Sequence, residues 1–211
     1  MQTRLFSQNL QANECLEIKE LLLQGEVIAF PTETVYGLGV DWKNEEAIEK
    51  LFVLKKRPKQ QPMTLHISSM TFVEQVAVGI PPSFYKLAKQ FWPGPLTIVL
   101  PKSPMVSSKI SEKVTVGVRM PAHPCLLYLI EALGGALLGT SANLSGHTAL
   151  CRADDVLAQF EGKIAAFIDG GEIAGKKAST VLSLAVLPPR ILREGPVSKE
   201  AIEQLLGTCI L

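Results

Sequence analysis

Phe30-Pro31-Thr32-Glu33-Thr34-Val35-Tyr36-Gly37-Leu38-Gly39 follows directly on the short apolar run Glu26-Val27-Ile28-Ala29-Phe30. The run reads as a buried strand, and the residues after it as a polar, glycine-bearing loop. Open α/β sheets place ligands at such a C-terminal strand edge. Gly37 and Gly39 fit backbone that passes close to a ligand or takes positive φ. The same residues also fit a capped turn whose hydroxyls satisfy one another.

Working outward, Asn13 is placed to cap a helix over 13–24, with Leu16, Leu21, Leu22 and Leu23 on its apolar face and Gly25 as its stop. Asn44 caps a second helix that has Glu45 and Glu46 in its first turn and Ala47, Ile48, Leu51 and Phe52 along one stripe. Residues 63–67 read as a strand, and Ser68-Ser69 opens the next helical segment. Pro81-Pro82 starts another helix, which ends before Trp92-Pro93-Gly94-Pro95. Strands are expected over 96–100, 114–118, 136–139, 164–168, 180–184 and 190–192. Helices are expected over 124–133 and after the cap Ser198. This alternation predicts an α/β fold, a single domain over residues 1–211 built on one twisted mixed sheet flanked by helices.

The chain has 211 residues, 47% hydrophobic and 19% charged, which suits a well-buried globule. A net charge of +1 exerts no global pull on nucleic acid or anionic membrane. Cys15, Cys125, Cys151 and Cys209 lie far apart without a Cys-x-x-Cys pair, so no zinc site of the usual spacing is expected. No secretory leader and no apolar run of ~20 residues is read, so the expectation is a soluble cytoplasmic protein with reduced thiols.

Chemistry concentrates in further clusters. Lys55-Lys56-Arg57-Pro58-Lys59-Gln60-Gln61-Pro62 packs cations between prolines ahead of the strand that holds His66. It reads either as an anion site, with Arg57 as a planar fork, or as a helix C-terminus whose cations face solvent. In Thr115-Val116-Gly117-Val118-Arg119, Thr115, Gly117 and Arg119 share one strand face and the valines take the other. Arg119 suits a carboxylate or phosphate ligand, or a structural ion pair. Thr140-Ser141-Ala142-Asn143-Leu144-Ser145-Gly146 offers hydroxyls and an amide to a nucleotide, or forms a polar turn. Ser179-Thr180 begins a strand and Arg193 ends one. His66 reads as a bonded core histidine or a ligand contact, and His123, between prolines, as a turn residue. No Gly-x-x-x-x-Gly-Lys-Ser/Thr loop, no Gly-x-Gly-x-x-Gly and no Gly-x-Ser-x-Gly is present, which disfavours P-loop, dinucleotide-binding and serine-hydrolase chemistry.

From Gly25 to Arg193 the chain resembles the YrdC-like family of threonylcarbamoyl-AMP synthases in its short TsaC form. The resemblance is carried by Pro31-Thr-Glu-Thr-Val-Tyr-Gly-Leu-Gly39, Lys55-Lys-Arg-Pro58, Trp92-Pro-Gly-Pro-Leu-Thr97, Val118-Arg-Met-Pro121 and Ser141-Ala-Asn-Leu-Ser-Gly146. It implies a twisted sheet with a concave basic face. It also implies an enzyme that joins L-threonine, bicarbonate and ATP, releasing pyrophosphate, for threonylcarbamoylation of tRNA adenosine beside the anticodon.

Residue by residue, it implies that Thr34, His66, Arg119 and Ser179 meet L-threonine. Lys55 and Arg57 would act on the ATP phosphates, with Gln61, Thr115, Ser141, Asn143 and Arg193 also on the nucleotide. Magnesium would arrive with ATP and need no protein ligand set of its own. A threonylcarbamoyl transferase complex is the implied partner, with tRNA or RNA contact possible in principle and no membrane role. Lys55→Ala and Arg57→Ala are expected to lose activity with the fold intact. The chain departs from the family at Gln61, where asparagine is frequent, and at His147-Thr148-Ala149-Leu150-Cys151. Its end at Leu211 leaves no room for the extra C-terminal domain of the long form. The alternatives are a non-catalytic RNA-binding module and the carbamoyl-transfer chemistry of hydrogenase maturation, which would call for companion domains.

Overall fold

In the computed structural model, which describes residues 2–58 and 60–211, the elements follow one another as β1 (Arg4–Ser7), α1 (Ala12–Leu23), β2 (Ile28–Phe30), β3 (Gly37–Val40), α2 (Glu45–Leu54) and β4 (Thr64–Ile67). A 3₁₀ turn (Met70–Phe72) leads into α3 (Val73–Val76), α4 (Pro82–Phe91), β5 (Leu96–Pro101), β6 (Thr115–Arg119), α5 (Pro124–Ala132) and β7 (Ala136–Ser141). The chain closes with α6 (Ala153–Phe160), β8 (Ala166–Asp169), β9 (Thr180–Ser183), β10 (Arg190–Arg193) and α7 (Lys199–Leu206). Lys59, part of the basic cluster read from the sequence, lies outside the described residues.

All strands join one 10-stranded mixed sheet in the order β1-β8-β2-β3-β7-β4-β6-β5-β9-β10. β1 and β2 run parallel to β8, β4 parallel to β6 and β5 parallel to β9; the remaining pairs are antiparallel. The α/β architecture and mixed sheet are as the sequence predicts.

Strand alternation divides the side chains between two faces. Leu38, Leu65, Leu138, Ile98, Val116 and Val118 point into the larger core, against α2, α4 and α7 through Ile48, Leu51, Phe84, Leu87 and Ile202. Ile28, Phe30, Leu137 and Ile168 point the other way, where Cys15, Ile18 and Leu22 of α1 meet Cys125, Leu126 and Leu129 of α5. That second cluster covers only part of its face. The remainder carries Thr64, His66, Thr97, Val99, Thr115, Gly117 and Arg119, and there the cavity opens.

Several local expectations change. α1 is capped at Gln11 rather than Asn13: the Gln11 N–H donates to Glu14 Oε2 at 2.8 Å, closing the first turn from outside. Its buried stripe is Cys15, Ile18 and Leu22, while Leu16 and Leu23 are exposed. Gly37 and Gly39 lie in β3, not in a loop, and neither has positive φ. A Cβ on Gly37 would sit 2.5 Å from the Phe30 ring and one on Gly39 2.7 Å, so the glycines make room for that ring on the paired strand. β1 and α6 were not expected; β1 is a four-residue edge strand and α6 starts at Arg152 without a side-chain cap bond. Ser68-Ser69 precedes the 3₁₀ turn rather than a full helix, with Ser69 Oγ accepting from Thr71 N at 3.3 Å.

Candidate active site

The turn after β2 is organised by hydroxyls. Thr32 Oγ1 donates to the Val35 carbonyl at 2.6 Å and accepts the amide N–H groups of Thr34 and Val35 at 3.1 and 3.2 Å. Thr34 Oγ1 lies 2.8 Å from Thr32 Oγ1 and accepts from Arg119 Nη2 at 3.1 Å. With the Thr32 proton committed to Val35, the Thr34 proton points to Thr32. Thr34 is thereby left an acceptor toward the arginine. Arg119, at the end of β6, also donates from Nε to the Gly94 carbonyl at 3.1 Å. Both the turn and the Trp92-Pro93-Gly94-Pro95 segment thus fix one guanidinium.

Tyr36 anchors the same turn from the opposite side. Its hydroxyl donates to the Gly171 carbonyl at 3.0 Å and accepts the Gly170 N–H at 2.9 Å. Burial pushes the phenol up to about 12, so it stays protonated.

The cavity holds about 380 Å³, within the range of small-molecule sites. Thr34, Arg57, Gln61, His66, Thr115, Arg119, Ser141, Ser179 and Arg193 all line it. These residues come from separate strands and loops spanning most of the chain, and the sheet order brings them together. At one end Arg119, Thr34 and His66 gather. Ser179 Oγ lies 2.9 Å from Thr97 Oγ1 and accepts from Arg193 Nη2 at 3.1 Å. At the other, Arg57 donates to the carbonyls of Gln61 and Pro62 at 2.9 and 3.0 Å.

Lys55 and Asn143 do not line the cavity. Lys55 continues the helical backbone as the C-cap of α2 and points inward, and Lys56, with positive φ (50°), then turns the chain so that Arg57 stands at the wall. Lys55 is completely buried; its ammonium donates to the Ser141 carbonyl, and to the carbonyl and Oδ1 of Asn143 at 2.6 and 3.1 Å. It is therefore neither a cation in solvent nor an open phosphate contact. It fastens the loop after β7 to the end of α2. Burial, then Arg57, push its ammonium down to about 7.

His66 is buried against Phe30, with ring centroids 5.9 Å apart. Gly139 lies against both rings: a Cβ there would fall 2.8 Å from His66 Cδ2 and 3.2 Å from Phe30 Cζ. Burial, with Arg119 adding repulsion, pushes His66 down to about 3, so it acts as a neutral imidazole. Its Nδ1 is buried without a hydrogen-bond partner among the described residues.

Electrostatically the site is cationic by construction. Burial lowers the Arg57 and Arg193 guanidinium pKa values, and mutual repulsion lowers them further, Arg193 acting on Arg57 and Arg119 on Arg193. Among the described residues neither Arg57 nor Arg193 has an acidic partner, whereas Arg119 pairs with Glu33. Arginine stays charged under such pressure. Positive charge held this close, without acids to balance it, suits a polyanion.

Sequence reading passed over Thr32, Thr64, Thr97 and Lys113, which also line the cavity. Thr64 and Thr97 could have been found by alternation, since each shares a strand face with a cavity residue, His66 and Val99. The altered segment His147 to Cys151 lies off the cavity. Leu150 O accepts from Tyr36 N at 2.9 Å and Cys151 O from Ile173 N at 2.8 Å.

The Sua5/YciO/YrdC family, described as "Telomere recombination", matches residues 20–195. The chain belongs to that family. A threonylcarbamoyl-AMP synthase from Pyrococcus abyssi is 45% identical over 185 residues, covering 87% of this chain and 54% of the synthase. The crystal structure of P. abyssi Sua5 complexed with L-threonine superposes with a TM-score of 0.94 at 40% identity, over 100% of this chain and 63% of that one. E. coli YciO superposes with a TM-score of 0.87 at 26% identity, covering 95% of this chain and 99% of YciO. The chain thus spans about half the length of the curated synthase it matches. No helix among the described residues is long and apolar enough to cross a membrane.

Proposed function

We propose that this chain is a threonylcarbamoyl-AMP synthase, a nucleotidyltransferase that joins L-threonine, bicarbonate and ATP. The amine of threonine and bicarbonate form a carbamate with loss of water. A carbamate oxygen then attacks the α-phosphorus of ATP, and pyrophosphate leaves with the electrons of the α–β bridge. The observation that carries this reading is one cavity with two chemistries: a hydroxyl–imidazole–arginine end and an arginine pair free of acids. The likeness to a Sua5 solved with L-threonine supports it.

In this reading Arg119 takes the threonine carboxylate, with Thr34, His66 and Ser179 around the rest of the amino acid. Arg57 and Arg193 hold the phosphates, with Gln61, Thr115 and Ser141 on the nucleotide. Lys55 and Asn143 act from behind the wall by fixing the loop that carries Ser141. Cations fixed before reaction stabilise charge developing on the phosphates, and a shared cavity converts a three-body encounter into a positioned one. Magnesium enters as part of the ATP substrate; among the described residues no group of three or more His, Cys, Asp or Glu gathers to hold a metal ion. The adenylate would pass to a separate cytoplasmic threonylcarbamoyl transferase acting on tRNA.

The test is pyrophosphate release from magnesium-ATP with and without L-threonine and bicarbonate, with mass detection of the adenylate. Release that needs both co-substrates, with the threonylcarbamoyl-adenylate mass, is expected. Folded protein that binds ATP yet makes no product overturns the assignment and favours an RNA-binding module.

A further inference from the structure

Arg119 is gripped from two sides and open on a third. Its Nε is taken by the Gly94 carbonyl and its Nη2 by Thr34 Oγ1, while Glu33 Oε1 lies 2.7 Å from the same Nη2. Among the described residues Nη1 makes no hydrogen bond or ion pair, so one edge of the fork remains for a ligand. Glu33 does not line the cavity, although Thr32, Thr34 and Arg119 all do. The carboxylate therefore stands behind the guanidinium, away from the space a substrate occupies. Its oxygens are buried, and neither accepts a hydrogen bond among the described residues. The contact with Nη2 is ionic, off the line of the N–H bonds.

We infer that Glu33 is a positioning residue for substrate: it holds the Arg119 guanidinium from behind so that the open edge presents to the carboxylate of the amino-acid substrate. The inference rests on reading Arg119 as the carboxylate-binding group. Two effects of Glu33 oppose each other. As a negative charge it lowers the potential at the site and weakens any anionic ligand. As a partner it fixes a buried guanidinium that otherwise has only neutral acceptors, beside the like charge of Arg193. Orientation dominates, because the pair is desolvated and the fork geometry sets bidentate recognition. Without Glu33, repulsion from Arg193 would be free to turn the fork away.

Glu33→Gln keeps the shape and removes the charge, and the two effects then predict opposite changes: loss of the field alone lowers the KM for L-threonine, loss of the hold on the fork raises it. The KM for L-threonine is expected to rise roughly 10- to 100-fold, with kcat and the KM for ATP within about threefold, the size of loss that a misplaced binding group produces. In an Arg119→Lys background the same substitution should have no further effect, because Glu33 acts through the fork. A threonine KM that is unchanged or lower in Glu33→Gln overturns the inference, as does an equal rise for ATP or an effect that persists beside Arg119→Lys. Should Glu33→Gln fail to fold by circular dichroism, Glu33→Asp, which retains charge but retracts it, carries the same expectation. Wild-type protein with no threonine-dependent turnover would instead sink the synthase reading. Active wild-type protein with an indifferent Glu33 sinks only this inference.

Discussion

The ammonium of Lys55 donates to both the carbonyl and the side-chain oxygen of Asn143, 88 residues further on. Together with its bond to the Ser141 carbonyl, this closes the loop after β7 onto the end of α2. Lys55→Met would fill the volume but leave the buried Asn143 carbonyl without a donor, costing roughly 1–3 kcal/mol, while the Ser141 carbonyl keeps the Asn143 N–H at 3.1 Å. Urea unfolding should therefore show Lys55→Met losing stability by about 1–3 kcal/mol. Arg57→Ala removes bonds to carbonyls at the cavity rim and should stay within about 1 kcal/mol of wild type. The same measurement on Lys55→Ala and Arg57→Ala tests the sequence-based expectation that both keep the fold. Equal stabilities would show that the Lys55 clamp contributes nothing.

His66 makes stability fall on the acid side. Its folded pKa, about 3, lies below the ordinary 6.5. Above pH 6.5 both folded and unfolded states are neutral at this residue. As pH falls from there toward 3, the unfolded chain takes up a proton and the folded protein does not, so stability drops by at most ~1.4 kcal/mol per pH unit. His66→Gln should flatten that slope in urea titrations run between neutral pH and about pH 4. Parallel slopes for wild type and variant would show that His66 takes up its proton in the folded state.

Gly139→Ala tests the packing that seats the imidazole. The new methyl would lie 2.8 Å from His66 Cδ2 and 3.2 Å from Phe30 Cζ, and Phe30 is itself held over Gly37 and Gly39. The imidazole can yield only at a cost, so a loss of about 1–3 kcal/mol is expected, as for overpacked cores. Because His66 must shift, affinity for L-threonine should fall more than affinity for ATP, as calorimetric titration of each ligand would show. Loss of ATP binding alone would place His66 at the nucleotide.

How far the sequence could be read depended on whether a residue's role is set by its neighbours in the chain or across the sheet. The alternation of Thr115, Gly117 and Arg119 against Val116 and Val118 is local, and it correctly separated cavity from core. The Asn44 cap and the stripe from Ala47 to Phe52 are local too. β3 was hidden because Gly37 and Gly39 carry no strand signal of their own; what requires them is Phe30 on the paired strand. Lys55 misleads for the same reason. Three consecutive cations look like a solvated helix end, and only the loop at Ser141 and Asn143 explains why the first of them is buried. β1 owes its place to β8, 162 positions away by the Arg4–Ala166 register, a pairing no local pattern announces.

Arg193 places function and stability in opposition. It stands at the exposed end of β10, only partly desolvated at the cavity wall beside Arg119 and Arg57, has no acid partner among the described residues, and is held by the carbonyl and hydroxyl of Ser179. Such an exposed cation, repelled by its neighbours, adds little stability to the empty protein, and an arriving polyanion relieves the repulsion. Arg193→Met should therefore leave the ligand-free protein as stable as wild type or more so. Wild type should gain about 2.7 kcal/mol from magnesium-ATP at 100 times its Kd. The variant should lose most of that gain at the same concentration, read as a smaller rise in Tm. Ser179 loses a donor as well, so the response to L-threonine should shrink in Arg193→Met but persist in Arg57→Ala, which touches only the phosphate end. If Arg193→Met instead collapses without ligand, as a core truncation would, Arg193 is a structural bolt for the strand that carries Ser179, and the phosphate role passes to Arg57 alone.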